Sequence, residues 1–261
     1  MTRIYVGIGG WVFPEWRGAF YPVGLPQKDE LKFASSKLTA IEINGTYYGA
    51  QKPASFAKWH DETPADFVFA LKGPRFATNR RVLAEAGGSI EKFITGGLTE
   101  LKKKLGPINW QFMATKTFDA DDFAAFLNLL PKRHDGIALR HAVEVRHPSF
   151  ACADFVALCR EHRVAIITGA DSDFPVIADV TADFVYVRAM GTTEKEKLGY
   201  AKPAISQWAA RAKTWAQGGA PKDLVLLSKA AAKTPPDVFL FVISGAKAKN
   251  PLAAQAIIAA L

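Results

Sequence analysis

The chain has 261 residues, 49% of them hydrophobic, two cysteines and a net charge of +8. That composition supplies a large apolar core, is too poor in cysteine for a disulfide scaffold, and contains no apolar run of membrane-spanning length. The excess of Lys and Arg favours an anionic partner, either a small phosphorylated or carboxylated molecule or a nucleic acid, and it equally suits a basic protein that merely stays soluble.

From the N-terminus onward, β-branched and aromatic runs alternate with amphipathic segments. The spacing predicts strands over residues 3–9, 39–44, 67–72, 108–112, 141–146, 164–169, 184–188 and 238–244. Helices are predicted over 28–38, 54–60, 90–105, 121–130, 150–162, 205–217 and 252–260, while 175–180 is too short for one. Asp119 or Ala120 precedes the acidic first turn Asp121-Asp122, and Gly218-Gly219 stops the helix before it. Strands alternating with helices imply a parallel sheet. Eight of them, with no Gly-rich dinucleotide fingerprint after the first, imply a single-domain α/β (β/α)8 barrel spanning 1–261. The segment 223–228 reads as an additional strand-like element beside the barrel.

The opening Met1-Thr2-Arg3-Ile4-Tyr5-Val6 enters a strand pattern directly, without a signal-peptide block, so the expected location is the cytoplasm. Cys152 and Cys159, on one predicted helix, are expected to be reduced thiols.

Polar residues at every second position of otherwise apolar strands are the most informative feature, because alternate residues of a barrel strand face its interior. Glu42 and Asn44 alternate with Ile41 and Ile43, and Tyr47 follows. Glu144 and Arg146 alternate with Val143 and Val145, and His147 follows. Tyr186 and Arg188 stand opposite Val185 and Val187, Asn109 and Gln111 opposite Trp110 and Phe112, and Lys72 shares the face of Val68 and Ala70. Trp11 closes the first strand and Asp171 the sixth. Near strand C-termini these positions line a barrel mouth. Buried charges there must be paired. Glu42 and Glu144 against Lys72, Arg146 and Arg188 permit such pairing. Two readings stand: structural ion pairs filling the barrel, or a site.

As a site, the residues assign Glu42 and Glu144 as candidate catalytic bases. Trp11, Asn44, Tyr47, Lys72, Gln111, Arg146, His147, Asp171 and Arg188 are the candidate substrate-binding groups. The arginines suit a carboxylate or phosphate. No metal or cofactor is called for: His134, His141 and His147 lack metal-ligand spacing, and the cations compete for the carboxylates. Nucleic acid is the alternative partner, although no recognition motif for it is present. An inactive barrel kept as an interaction scaffold is a third reading.

Several stretches carry a family resemblance. Ile4-Tyr5-Val6-Gly7-Ile8-Gly9-Gly10-Trp11, with Trp16-Arg17-Gly18 and Phe20-Tyr21-Pro22, resembles the opening of the YecE-like family, domain of unknown function 72. Ile41-Glu42-Ile43-Asn44-Gly45-Thr46-Tyr47-Tyr48, Leu105-Gly106-Pro107-Ile108, Val143-Glu144-Val145-Arg146-His147-Pro148-Ser149-Phe150 and Ala182-Asp183-Phe184-Val185-Tyr186-Val187-Arg188 extend the resemblance in order along nearly the whole chain. It implies a TIM-type barrel and supplies no reaction. The chain departs from the family pattern where Met190 and Asn79 replace histidines, and where Ile243-Ser244-Gly245 replaces an Asn-Asn-Asp type ending; an insertion lies around 222–236.

Overall fold

The structure, a computed structural model, describes residues 2–230 and 235–261. Eight parallel strands close into a barrel in the order β1-β10-β9-β8-β7-β4-β3-β2. These are β1 (Ile4–Gly9), β2 (Ala40–Ile43), β3 (Val68–Lys72), β4 (Leu105–Gln111), β7 (His141–Glu144), β8 (Ala165–Ala170), β9 (Phe184–Ala189) and β10 (Asp237–Val242). A two-stranded antiparallel ribbon, β5 (Arg133–His134) and β6 (Ile137–Ala138), lies outside the barrel. Closure comes from β1 pairing with β10, Ile4 opposite Val238 through Ile8 opposite Val242.

Helices surround the barrel: α1 (Glu30–Lys37), α2 (Gly45–Tyr48), α3 (Pro53–Asp61), α4 (Arg75–Thr78), α5 (Gly87–Ile94), α6 (Ala120–Asn128), α7 (Ala153–His162), α8 (Lys202–Ala216) and α9 (Asn250–Ala260). Proline in the first turn starts α3, α8 and α9, where its missing N–H has no cost. Asp119 caps α6 by accepting from the Asp122 backbone N–H at 2.9 Å. No helix among the described residues is long and apolar enough to cross a membrane.

Three sequence expectations are corrected. The helix expected over 90–105 is broken: α5 ends at Ile94, Gly97 takes a φ of 94°, and a 3₁₀ stretch over Leu98–Lys104 leads into β4. β4 therefore begins at Leu105, not Ile108, because Gly106 and Pro107 sit inside it. Gly106 is a close-approach position, where a side chain would collide with Val68 and the Phe69 carbonyl. Residues 223–228 form turns rather than a strand, tied down where the Leu227 and Ser228 N–H groups donate to the buried Asp179 carboxylate at 2.8 and 3.0 Å. The insertion around 222–236 lies partly outside the described residues. β8 and β9 are joined by a connection without a helix.

The strand alternation separates two cores. Ile41, Ile43, Val143, Val145, Val185 and Val187 face outward beneath the helices. Val68, Ala70, Ala142, Ala165, Ile167 and Phe239 face inward. The interior is filled unevenly: Phe184, Tyr186, Phe239 and Phe241 reach across from β9 and β10, opposite the small Ala40 and Ala70 of β2 and β3. At the N-terminal end Arg140 plugs the barrel, 4.8 Å from the Phe239 ring centroid and paired to Asp237 at 3.3 Å.

Candidate functional site

Above this apolar lower layer the interior turns polar. Glu42 (β2), Lys72 (β3), Asn109 and Gln111 (β4), Glu144 (β7), and Tyr186 and Arg188 (β9) all point inward and are all buried. The register explains the convergence. Gln111 lies beside Glu144, Asn109 beside Lys72, and Gly9 beside Glu42, so residues of like parity on neighbouring strands share one level.

Arg188 is the hub. Its Nη2 donates to Glu42 Oε1 at 2.9 Å and its Nη1 donates to Glu144 Oε2. The second oxygen of Glu42 accepts from the Tyr186 hydroxyl at 2.5 Å and from Asn109 Nδ2 at 3.4 Å. Glu144 Oε1 accepts from Arg146 Nε and Nη2 at 3.0 and 2.8 Å and from Gln111 Nε2 at 3.2 Å. Gln111 Oε1 in turn accepts from Lys72 Nζ, which lies 4.4 Å from the centroid of the Tyr47 ring. Arg146 packs over Phe174 at 4.5 Å.

The electrostatics follow from this packing. Burial opposes ionisation of Glu144, but Arg188, Arg146 and Lys72 outweigh it and hold the carboxyl at about 2. Burial would lower the Arg188 pKa, yet Glu144 and Glu42 keep that guanidinium charged, above its ordinary value. Burial and the adjacent Glu42 push the Tyr186 phenol upward, so it remains a donor. Lys72 differs. Its burial, reinforced by Arg188, brings the ammonium down to about 8. No carboxylate among the described residues lies within ion-pair distance of it; both nearby ones are taken by arginines.

A cavity of about 640 Å³ opens above this layer at the C-terminal ends of the strands. Of the residues singled out from sequence, Asn44, Tyr47, Lys72, Gln111, Arg146 and Arg188 line it, while Glu42 and Glu144 lie just beneath, bound to its arginines. Three candidates are not brought into this group. Gly10 (φ 74°) turns the chain so that Trp11 packs edge-on against Trp59 of α3, ring centroids 5.2 Å apart. The His147 ring engages Ser149 Oγ at 2.8 Å, bracing the turn after β7. Asp171 accepts from Tyr200 Oη at 2.8 Å and Trp208 Nε1 at 3.2 Å, fastening the end of β8 to α8.

Sequence reasoning passed over the far rim. Ser244, Lys247 and Asn250, after β10, line the same cavity. Asn250 is fixed by accepting from Thr192 Oγ1 at 2.7 Å and donating to the Ser244 carbonyl at 3.0 Å. Lys247 opens a short 3₁₀ turn, Lys247–Lys249, outside the period-two signal that marks strand residues. A groove of about 660 Å³ at the opposite end, between Arg140, Arg163 and Phe184, is lined by no part of the buried polar layer.

Comparison with known proteins places this arrangement in a family. The family described as "Protein of unknown function DUF72" matches residues 5–261. The UPF0759 protein YecE of Escherichia coli K12 is 28% identical over 150 residues, 56% of this chain and 50% of the relative, and the protein of the same name from Escherichia coli O157:H7 matches to the same extent. The chain thus spans about half the length of the curated relatives it matches. Among solved structures, a DUF72 family protein of Thermotoga maritima MSB8 superposes with a TM-score of 0.74 at 20% identity, covering 98% of this chain and 97% of that one. One from Enterococcus faecalis V583 gives 0.68 at 16% identity, covering 98% and 96%. These structural likenesses show the fold, a TIM-type barrel, and the sequence match over nearly its whole length shows that the chain belongs to the DUF72 family.

Proposed function

We propose that the chain binds a small anionic molecule, phosphorylated or carboxylated, in the mouth cavity and acts on it there as an enzyme. One observation carries this reading. Lys72, Arg146, Arg188 and Lys247 line a single cavity, while Glu42 and Glu144, just beneath it, are each bound to its arginines. The cavity therefore presents unbalanced positive charge to whatever enters. Arg146, partly open to solvent, is the principal anion ligand, because its planar guanidinium matches a carboxylate or phosphate. Glu42 and Glu144, expected from sequence as general bases, are in this reading positioning residues that hold the arginines in place. Each is engaged by Arg188, and Glu144 also by Arg146. Tyr47 packs against the bound molecule. Free Cys152 and Cys159 accord with a reducing compartment such as the cytoplasm.

The test is ligand-induced thermal stabilisation across a panel of phosphorylated and carboxylated metabolites, with wild type, Glu144→Gln and Arg146→Ala. A ligand that raises the wild-type Tm is expected to bind Arg146→Ala about tenfold more weakly or worse, since a charge-assisted hydrogen bond contributes about 1.5–3 kcal/mol. If both variants answer every ligand as wild type does, the assignment falls. The scaffold reading is supported by a different fact, the mutual pairing of Glu42 and Glu144 with Arg188. It predicts no stabilisation of wild type by any anion in the panel.

A further inference from the structure

We propose that Lys72 is a nucleophile that forms a Schiff base with a carbonyl group of the bound anion, so that the ligand class narrows to 2-oxo acids and phosphorylated ketones or aldehydes. This rests on the anion-binding reading of the same cavity and adds a covalent step to it.

The geometry separates Lys72 from the other cations of the site. It stands at the C-terminal end of β3, lines the cavity, and is only 7% exposed. Its Nζ is held between the Tyr47 ring and the Gln111 carbonyl oxygen, two neutral partners. The carboxylates that would fix it as an ammonium are occupied: Glu42 by Arg188 and Tyr186, Glu144 by Arg146 and Arg188. A buried amine without a counter-ion, close to two guanidinium groups, has its free-base form favoured. Lys104 makes the contrast. It is also buried, but its Nζ donates to the carbonyls of His60 and Thr63, and it does not line the mouth cavity.

The step balances without a further reactant. The free amine attacks the carbonyl carbon, a C–N bond forms, and the carbonyl oxygen leaves as water carrying both amine hydrogens. The imine then takes a proton from solvent through the open mouth. The resulting iminium keeps the single positive charge that the ammonium would have placed there. Arg146 and Lys247 remain to hold the carboxylate or phosphate of the same molecule.

Reductive trapping tests this. The full chain is incubated with sodium cyanoborohydride and pyruvate, dihydroxyacetone phosphate or uncharged dihydroxyacetone, then mapped by peptide mass spectrometry. The expected product is a secondary amine at Lys72 with both anionic probes. It should be absent from Lys72→Arg and Lys72→Met variants whose melting shows them folded, and Lys104 should remain unlabelled. At pH 7 an amine titrating near 8 is free on the order of 100-fold more often than a surface lysine, so trapping at Lys72 should outrun the surface and level off above pH 8. Labelling spread over surface lysines, with Lys72 no faster than the rest, overturns the inference. If anions raise Tm but leave no adduct on Lys72, the covalent step falls while the anion site stands. Trapping at Lys72 that is as fast with dihydroxyacetone as with its phosphate supports the nucleophile and removes the anion site.

Discussion

Arg188 is enclosed by two carboxylates and a phenol at a depth where none of these charges would be tolerated alone. Its surroundings make Glu144 the residue on which the rest depends, since Glu144 also holds Arg146 at the cavity wall. Glu144→Ala removes one of the two carboxylates from Arg188 and the single one from Arg146. Breaking a buried pair in this way costs about 3–5 kcal/mol, read as a fall in the urea midpoint of unfolding. A loss below about 1 kcal/mol would place the pair among those that add nothing measurable. Much of this site could be read from sequence, because the period of two is kept: Glu42, Asn109, Gln111, Glu144 and Arg188 all fall on the face opposite their buried apolar neighbours. What sequence could not show is which carboxylate meets which cation. Arg188 and Glu42 are separated by 146 positions in the chain, and only barrel closure makes them neighbours. Trp11 was out of reach for another reason. A single left-handed Gly10 reverses the side on which the next residue emerges, and no strand periodicity continues through such a turn.

At the scale of elements, the barrel strands were legible and the connections less so. β-branched runs announce strands because those side chains pack on a pleated surface. Glycine inside a strand misleads, as Gly106 did for β4. The same residue type is indispensable in β1, where a methyl group on Gly7 would run into the Ala40 carbonyl on the adjoining β2. Gly7→Ala must therefore push two paired backbones apart, and the expected cost is about 1–3 kcal/mol or more, measured as a lower Tm than wild type. A Gly7→Ala protein that melts with wild type would show that β1 and β2 are less closely held than their register implies. The β5–β6 ribbon turns on Asp135-Gly136, both left-handed, a signature of a two-residue hairpin. Two paired residues per strand are too few for an apolar alternation, so nothing beyond that dipeptide marked it.

For the whole molecule, acid is the condition that should reach the core first. His141 is buried, accepting from Trp110 Nε1 at 3.1 Å and meeting the Pro131 carbonyl at 2.8 Å, and burial brings its pKa down from 6.5 to about 4. Between those values the unfolded chain takes up a proton that the folded one refuses, so stability falls as pH drops from 6.5 toward 4. Glu144 acts lower. Its carboxyl is held at about 2 against an ordinary 4.5, so the stability it contributes is present above 4.5 and is lost as pH falls toward 2. Each unit of difference is worth about 1.4 kcal/mol. Urea unfolding followed from pH 7 to pH 3 should show a decline that begins above pH 6, and His141→Asn should lack its upper part. A wild-type curve flat down to pH 5 would contradict the burial of a neutral imidazole. The fold class was open to sequence because eight alternating units admit few topologies. The balance of charge was not, because the dispersed lysines and arginines reveal nothing of their partners until the surface closes.

The pairing of β1 with β10 has a consequence for how the chain comes into being. During synthesis β1 gains β2 within some tens of residues, but its other edge waits until 237–242 have left the ribosome. Until β10 docks, the sheet can only be open, and β1 presents an unpaired apolar edge of the type that recruits other chains. Arg188, Glu42 and Glu144 have all emerged by then, yet the cylinder that buries them exists only once the last strand docks. The final strand thus does two jobs at one moment: it seals the sheet against aggregation and desolvates the charges beneath the mouth.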